Sequence, residues 1–378
     1  MVLIHEERAF TREVIFTNAA KYGFANPLTV ELFLWDLELA AQLQRSSNQA
    51  ILKGGAAAQL FLPVEKQRGS VDIDLTANLN ADLLHTLIKE TESRVGRARF
   101  ELYTLKKPKA GLNARTYFAY TDSVTQSEPL RVKLDFMLQD LRLPVEETCN
   151  VQTFAAKTSE IRCYAPEVLV GDKILTLAKG SIGLEDLADY PKQIYDLSML
   201  MDSPKVSKFG DVIDAVEKIT PVEAEIAGLR IDAPSALDDV IKFVDGEFAP
   251  IDTTKAERDM KLKLEGFEQF FVPASQRASL QEWSSRSLRI RLVACLAQSA
   301  LKGTLVAKEC ESILKKARDF ASRLQAVRGS EVEPLRGKLL SFQTERLAYF
   351  KELRGKPLDR VFWQVVTPNN IDAIRDLI

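Results

Sequence analysis

Asp72 and Asp74 are the residues of this chain best placed to do chemistry. They lie in Arg68-Gly69-Ser70-Val71-Asp72-Ile73-Asp74-Leu75, downstream of Lys53-Gly54-Gly55. In an extended strand, alternate side chains share a face. Val71, Ile73 and Leu75 then turn to a core, and both carboxylates turn to the opposite side. Neighbouring carboxylates repel unless a cation stands between them. A hard divalent ion meets that need, and Mg²⁺, with Mn²⁺ as the alternative, usually brings nucleotide phosphates with it. Gly54, Gly55 and Ser70 offer backbone N–H groups and a hydroxyl to phosphate oxygens.

A third acid, Asp135, sits in Arg131-Val132-Lys133-Leu134-Asp135-Phe136-Met137-Leu138. Leu134, Phe136 and Leu138 take one face of that strand, and Asp135 shares the other with Arg131 and Lys133. If the strand pairs beside Val71–Leu75, three carboxylates converge. Such a layout suits two Mg²⁺ ions spanning a phosphoryl-transfer centre, with Asp135 beside the attacking hydroxyl to take its proton. The plainer alternative is an exposed strand acid paired with Lys133 or Arg131. Lys173, in an otherwise apolar helical stretch, is read as a cation for triphosphate charge or as a lysine snorkelling to water. Asp196, in Gln193-Ile194-Tyr195-Asp196-Leu197, is read as a further site acid or as a plain salt-bridge partner, even of Lys173 itself.

These residues need elements to hold them. A helical pattern covers Glu6 to about Ala50, with Leu32, Leu34, Trp35, Leu37, Leu39 and Leu43 ending near Ser46-Ser47-Asn48. The small residues from Lys53 to Leu62 open a helix. Asp82–Arg94 has helical spacing, and Phe100–Leu105, Thr116–Tyr120 and Arg131–Leu138 read as strands. From Pro166 onward the pattern is helical, with breaks expected at Pro221, Pro234, Pro250, Pro273 and Gly329. The expected fold class is α+β: a mixed-sheet domain over residues 1–155 with an N-terminal helix, then a large helical domain over 156–378. The second domain carries Lys173, Asp196 and a C-terminal region for substrate or partner.

Composition narrows the function. The 378 residues are 46% apolar and 28% charged, ordinary for a soluble globular chain. A formal net charge of -2 removes any global pull towards nucleic acid, so such contact must come from a local patch. One candidate patch carries Arg94, Arg97, Arg99, Lys106, Lys107, Lys109, Arg115, Arg131 and Lys133, interleaved with Tyr103, Tyr117, Phe118 and Tyr120. It suits a triphosphate or an RNA backbone, with rings for base stacking. A solvated loop with core aromatics is the plainer reading. The arginines at 286, 289 and 291 are read as a solvated helix face. Cys149, Cys163, Cys295 and Cys310 are spaced as reduced thiols of a cytoplasmic protein. With only His5 and His85, a His-rich zinc site or Ser-His triad is disfavoured. No apolar run is long enough to span a membrane.

Taken together, the four motifs resemble the AbiEii/AbiGii-type nucleotidyltransferase toxins of the polymerase-β-like superfamily, over about Ala50 to Leu200. That family carries Lys-Gly-Gly, then Arg-x-Ser/Thr-x-Asp-hydrophobic-Asp, a later strand Asp, a helical Lys and a following Asp. The resemblance implies a polymerase-β-like nucleotidyltransferase domain. It implies Asp72, Asp74, Asp135, Lys173 and Asp196 as catalytic residues, the first three holding metal. Lys53, Gly54, Gly55, Arg68 and Ser70 would bind the nucleotide's phosphates. It further implies an NTP substrate, a cognate antitoxin and, for some members, transfer to the 3′ end of tRNA. The chain departs from the family at Gln193, where an acid is common. Two alternatives remain open: nucleotidylation of a protein or small molecule, and an inactive nucleotide-binding regulator.

Overall fold

The computed structural model describes residues 3–103, 114–343 and 347–377. They form two compact units. The first comprises Met1–Leu169, Asp202–Lys205 and Glu265–Arg277; the second comprises Val170–Met201, Val206–Leu264 and Ala278–Ile378. The first unit therefore runs past residue 155 and recovers two later segments.

In the first unit, α1 (Arg12–Tyr22) ends at Gly23, whose φ of 77° is the left-handed conformation a helix stop favours. The helical stretch expected from Glu6 to Ala50 is thus divided. Helix α2 (Pro27–Ser46) begins at Asn26, whose side chain accepts from the Leu28 N–H at 3.0 Å, with Pro27 in the first turn. Its apolar residues surround the axis, so it is buried on nearly every side. It is followed by β1 (Ala50–Lys53), α3 (Gly54–Gln59), β2 (Asp72–Ala77) and α4 (Ala81–Val95). Then come β3 (Ala98–Tyr103), β4 (Ala114–Thr121), β5 (Leu130–Met137), β6 (Val145–Thr148) and β7 (Ile161–Tyr164). The strands expected near residues 100, 116 and 131 are present. Strands β1, β6 and β7, only four residues each, are too short for alternation to reveal. Leu105, Lys106, Lys107 and Lys109 lie outside the described residues.

The seven strands form one mixed sheet in the order β3-β4-β5-β2-β1-β7-β6. Strand β2 is central, parallel to β5 and antiparallel to β1. Ile73, Leu75, Leu134 and Phe136 fill the core face, and α2 packs against β1, β2, β5 and β7. The alternate residues of β2 and β5 are left for the other face.

The second unit is helical. It contains most of α5 (Pro166–Leu175), then α6 (Tyr190–Met201), α7 (Phe209–Ala227), α8 (Ala233–Phe243) and the start of α9 (Arg258–Phe271). These precede α10 (Leu280–Leu301), α11 (Ala307–Ala326), α12 (Val332–Leu340), α13 (Phe350–Leu353), α14 (Leu358–Val365) and α15 (Ile371–Arg375). Helix α10 is its axis, packing against α6, α7, α8, α11 and α14. Contrary to the sequence expectation, α7 continues through Pro221. Proline removes the donor to the Glu217 carbonyl, but both residues are exposed and water can replace it. The arginines of α10 also depart from expectation. Arg291 is buried and donates to the Trp363, Gln364 and Val366 carbonyls, capping the end of α14. Arg286 lies over the Trp283 and Tyr195 rings. Among the described residues, no helix is long and apolar enough to cross a membrane.

Candidate active site

Strand register assembles the site in the first unit. Asp74 is paired with Asp135 across the parallel β2–β5 ladder, and Asp72 with Lys133. On its other side Asp74 faces Lys53 of β1. The three aspartates therefore occupy one face of two neighbouring strands, as the alternation required. Asp72, Asp74 and Asp135 are all half-buried, between the core and open solvent.

Glycines let the backbone close on these acids. Gly54 opens α3 with φ 71°, and a Cβ there would fall 2.0 Å from Asp74 Oδ2. It is excluded both by conformation and by space. A Cβ on Gly55 would stand 2.9 Å from Arg68 Nη2 and 3.1 Å from Ser70 Oγ. The Lys-Gly-Gly turn, Arg68, Ser70 and Asp74 are thus within touching distance of one another. The loop leading into β2 is pinned. The Arg68 N–H donates to Gln59 Oε1 at 2.9 Å and the Gly69 N–H to the Phe271 carbonyl at 2.8 Å. The Arg68 guanidinium, nearly buried, lies 5.9 Å from the Phe267 ring centroid.

Asp135 is engaged. Thr116 Oγ1 donates to its Oδ1 at 2.6 Å, and Lys133 Nζ stands 2.5 Å from its Oδ2. Burial works against the charge of Lys133. Its hydrogen bond to Asp135, and the charges of Asp135, Asp72 and Asp74, nevertheless raise its pKa above the ordinary lysine range. The Lys133 ammonium thus occupies the field of all three aspartates as a stand-in cation. Among the described residues, no three His, Cys, Asp or Glu side chains are close enough to hold a metal ion as they stand. Mg²⁺ needs only one or two carboxylates when phosphates and water complete its shell. The Asp72–Asp74 pair fits that requirement, with Asp135 held aside by Thr116 and Lys133.

One acid escaped the sequence reading. Asp36 of α2 has 0% exposure, and neither carboxylate oxygen finds a hydrogen-bond partner. Burial, then the charges of Asp72 and Asp74, push its carboxyl well above the ordinary range, while Ser70 and Arg68 pull it back. The available signal was an acid inside an apolar run, Leu34-Trp35-Asp36-Leu37.

Lys173 and Asp196 belong to the second unit and meet each other there. Lys173 Nζ lies 2.8 Å from Asp196 Oδ2 and donates to Gln193 Oε1 at 2.9 Å. Lys173 is 2% exposed and Asp196 0%. Gln193, the departure from the family pattern, and Asp196 thus bind the same ammonium.

The family model for the AbiEii nucleotidyl transferase toxin of type IV toxin–antitoxin systems matches residues 38–282. The chain belongs to the AbiEii family. It is a nucleotidyltransferase of the toxin class, and its motifs fall within the matched span. No curated protein matches it. Among solved structures it is similar to MenT4, a nucleotidyltransferase toxin from Mycobacterium tuberculosis, with TM-score 0.44 and 16% identity over 77% of this chain and 99% of that one. It is also similar to JHP933 from Helicobacter pylori, with TM-score 0.37 and 14% identity over 79% and 95% of the two chains.

Proposed function

We propose that this AbiEii-family protein is a cytoplasmic toxin that transfers a nucleotide from an NTP to RNA, with the tRNA 3′ end as the first acceptor to test, and that an antitoxin protein restrains it. The observation that carries the reading is the register of Asp72, Asp74 and Asp135 on one sheet face, with Lys133 as a stand-in cation. A divalent cation, Mg²⁺ or Mn²⁺, would supply charge neutralisation of the triphosphate there.

The chain's own residues do the rest. Asp72 and Asp74 would hold the cation. Gly54 and Gly55 let backbone come close to phosphate oxygens, and Ser70, Lys53 and Arg68 add a hydroxyl and two positive groups. Lys133, released from Asp135, turns to phosphate charge. Asp135 Oδ2 is then free to accept the proton of the attacking hydroxyl. Lys173 is held by Asp196 and Gln193 within the second unit.

The same sheet face supports an RNA acceptor. By register, Thr116, Phe118 and Tyr120 of β4 and Arg131 of β5 continue the face that carries Asp135. Arg131 lies 4.8 Å from the Phe118 ring centroid, and Tyr103 meets Phe118 edge-on at 5.4 Å. Partly exposed rings beside arginine suit single-stranded bases. Tyr117, by contrast, is buried against Phe136 and belongs to the core.

The test is to incubate the purified protein with Mg²⁺, each labelled NTP in turn, and total RNA and protein from a bacterial lysate. Label on a tRNA-sized band is the expected result. Label on protein alone would move the acceptor to protein, and label on neither would overturn transfer to a macromolecule.

A further inference from the structure

Helix α2 carries three buried acids, and they are not treated alike. Glu31 accepts from the Ser123 hydroxyl at 2.7 Å, from the Val124 N–H at 2.7 Å and from the Thr125 N–H at 3.2 Å. Glu38 accepts from the Ile4 and His5 N–H groups at 2.9 and 3.0 Å and from Gln42 Nε2 at 2.8 Å, and meets His5 Nδ1 at 2.7 Å. Both have the donors a buried carboxylate needs. Asp36 lies between them in sequence, is as fully buried as Glu38, and neither of its oxygens has a hydrogen-bond partner.

Its surroundings say what is missing. Asp72 and Asp74 are near enough to repel it, and Arg68 and Ser70 near enough to attract it. Yet neither of its oxygens closes a hydrogen bond of ordinary length and angle with them. An orphaned buried acid is costly in a native fold and calls for a partner that is not protein. Here the side chain sits on the helix that packs against β2 and β5 and feels the charge of the two acids assigned to a cation. Direct ligation is not what the positions offer, since among the described residues no three acids stand within reach of one ion.

We propose that Asp36 is an outer acid of the divalent-cation site: a positioning residue that offers hydrogen-bond acceptors beside Asp72 and Asp74 without touching the ion. Outer groups of this kind orient what surrounds a metal and typically change affinity about 10–100-fold when removed. The inference rests on the reading of Asp72 and Asp74 as cation ligands. Asp36 lies outside the span matched by the family model.

The test is direct binding of Mn²⁺ to the purified full-length protein, followed by its paramagnetic resonance signal with and without a non-hydrolysable NTP analogue. Wild type, Asp36→Asn and Asp74→Asn are compared, and thermal unfolding is recorded for each. Asp36→Asn preserves shape and removes the acid. The expected result is Mn²⁺ affinity lowered about tenfold or more, with a melting temperature no lower than wild type. Asp74→Asn is expected to abolish binding. If Asp36→Asn binds Mn²⁺ like wild type while Asp74→Asn does not, the inference on Asp36 falls and the cation site stands. If Asp74→Asn also binds like wild type, the cation site itself falls. Asp36→Ser, smaller and neutral, gives the same reading if the asparagine variant does not fold.

Discussion

The two units each bury charge, but arrange it differently. In the second unit, Lys173 is closed in by Asp196 and Gln193, so both charges of that pair are matched. In the first, Asp36, Asp72, Asp74 and Asp135 share one neighbourhood with Lys53, Arg68 and Lys133. A closed pair satisfies the fold by itself. The acids of the first unit are instead gathered on one face by strand register and glycine packing. On the proposed reading, the closed pair serves structure and the gathered acids a ligand.

The contrast can be broken most severely at Asp74. Asp74→Ala is expected to lower nucleotidyl transfer on the order of 10³-fold. Its melting temperature is expected to change little, because the side chain is only half-buried. A large loss of stability would show that the acid serves the fold. At Lys173 the cost should fall on stability as well. Lys173→Ala strands Asp196 in a buried place and is expected to destabilise by about 3–5 kcal/mol. Chemical denaturation would measure it, and a neutral result would show the pair to be dispensable to the fold. Gly54→Ala comes next. The left-handed backbone and the close approach to Asp74 predict about 1–3 kcal/mol of strain, together with a loss of activity that Asp74→Gly, by opening space, would not reproduce as a stability defect.

The smallest effect is one of pH, at Glu38. Burial would raise its pKa, but hydrogen bonds from the His5 side chain and backbone, Gln42 and the Ile4 backbone hold it below the ordinary glutamate value. A depressed folded-state pKa stabilises the protein above the unfolded-state value, about 4.3 for glutamate, and that contribution is lost as pH falls through the folded-state value. Glu38→Gln should therefore flatten the fall in melting temperature below about pH 4 while leaving the curve at neutral pH lower than wild type. An unchanged acid limb would remove Glu38 from the list of groups that set it.

The parts that sequence could reveal are those written in local spacing. The alternation around Asp72 and Asp74, and again around Asp135, specified a shared face before any pairing was known. The pairing itself came from the parallel β2–β5 ladder, which no local pattern encodes. Strand β1 was hidden because four residues between a long helix and a glycine turn show no period. Asp36 was hidden for a different reason. Periodicity assigned α2 to the core by its leucines, and one acid among them carried no sign of whether a donor would reach it. Glu38, two residues on, finds donors from the N-terminal segment, and Asp36 does not. Likewise, the helical pattern of α10 gave no sign that Arg291 would turn inward to cap α14.

The most direct measurement is transfer of α-labelled nucleotide to RNA by wild type and Asp74→Asn across a divalent-cation titration. The expected result is label on RNA that rises with Mg²⁺ or Mn²⁺ in wild type and is absent at every concentration in the variant. Equal labelling by the two proteins, or labelling by wild type that persists after the cation is chelated, would contradict the assignment of this face to cation-assisted nucleotidyl transfer.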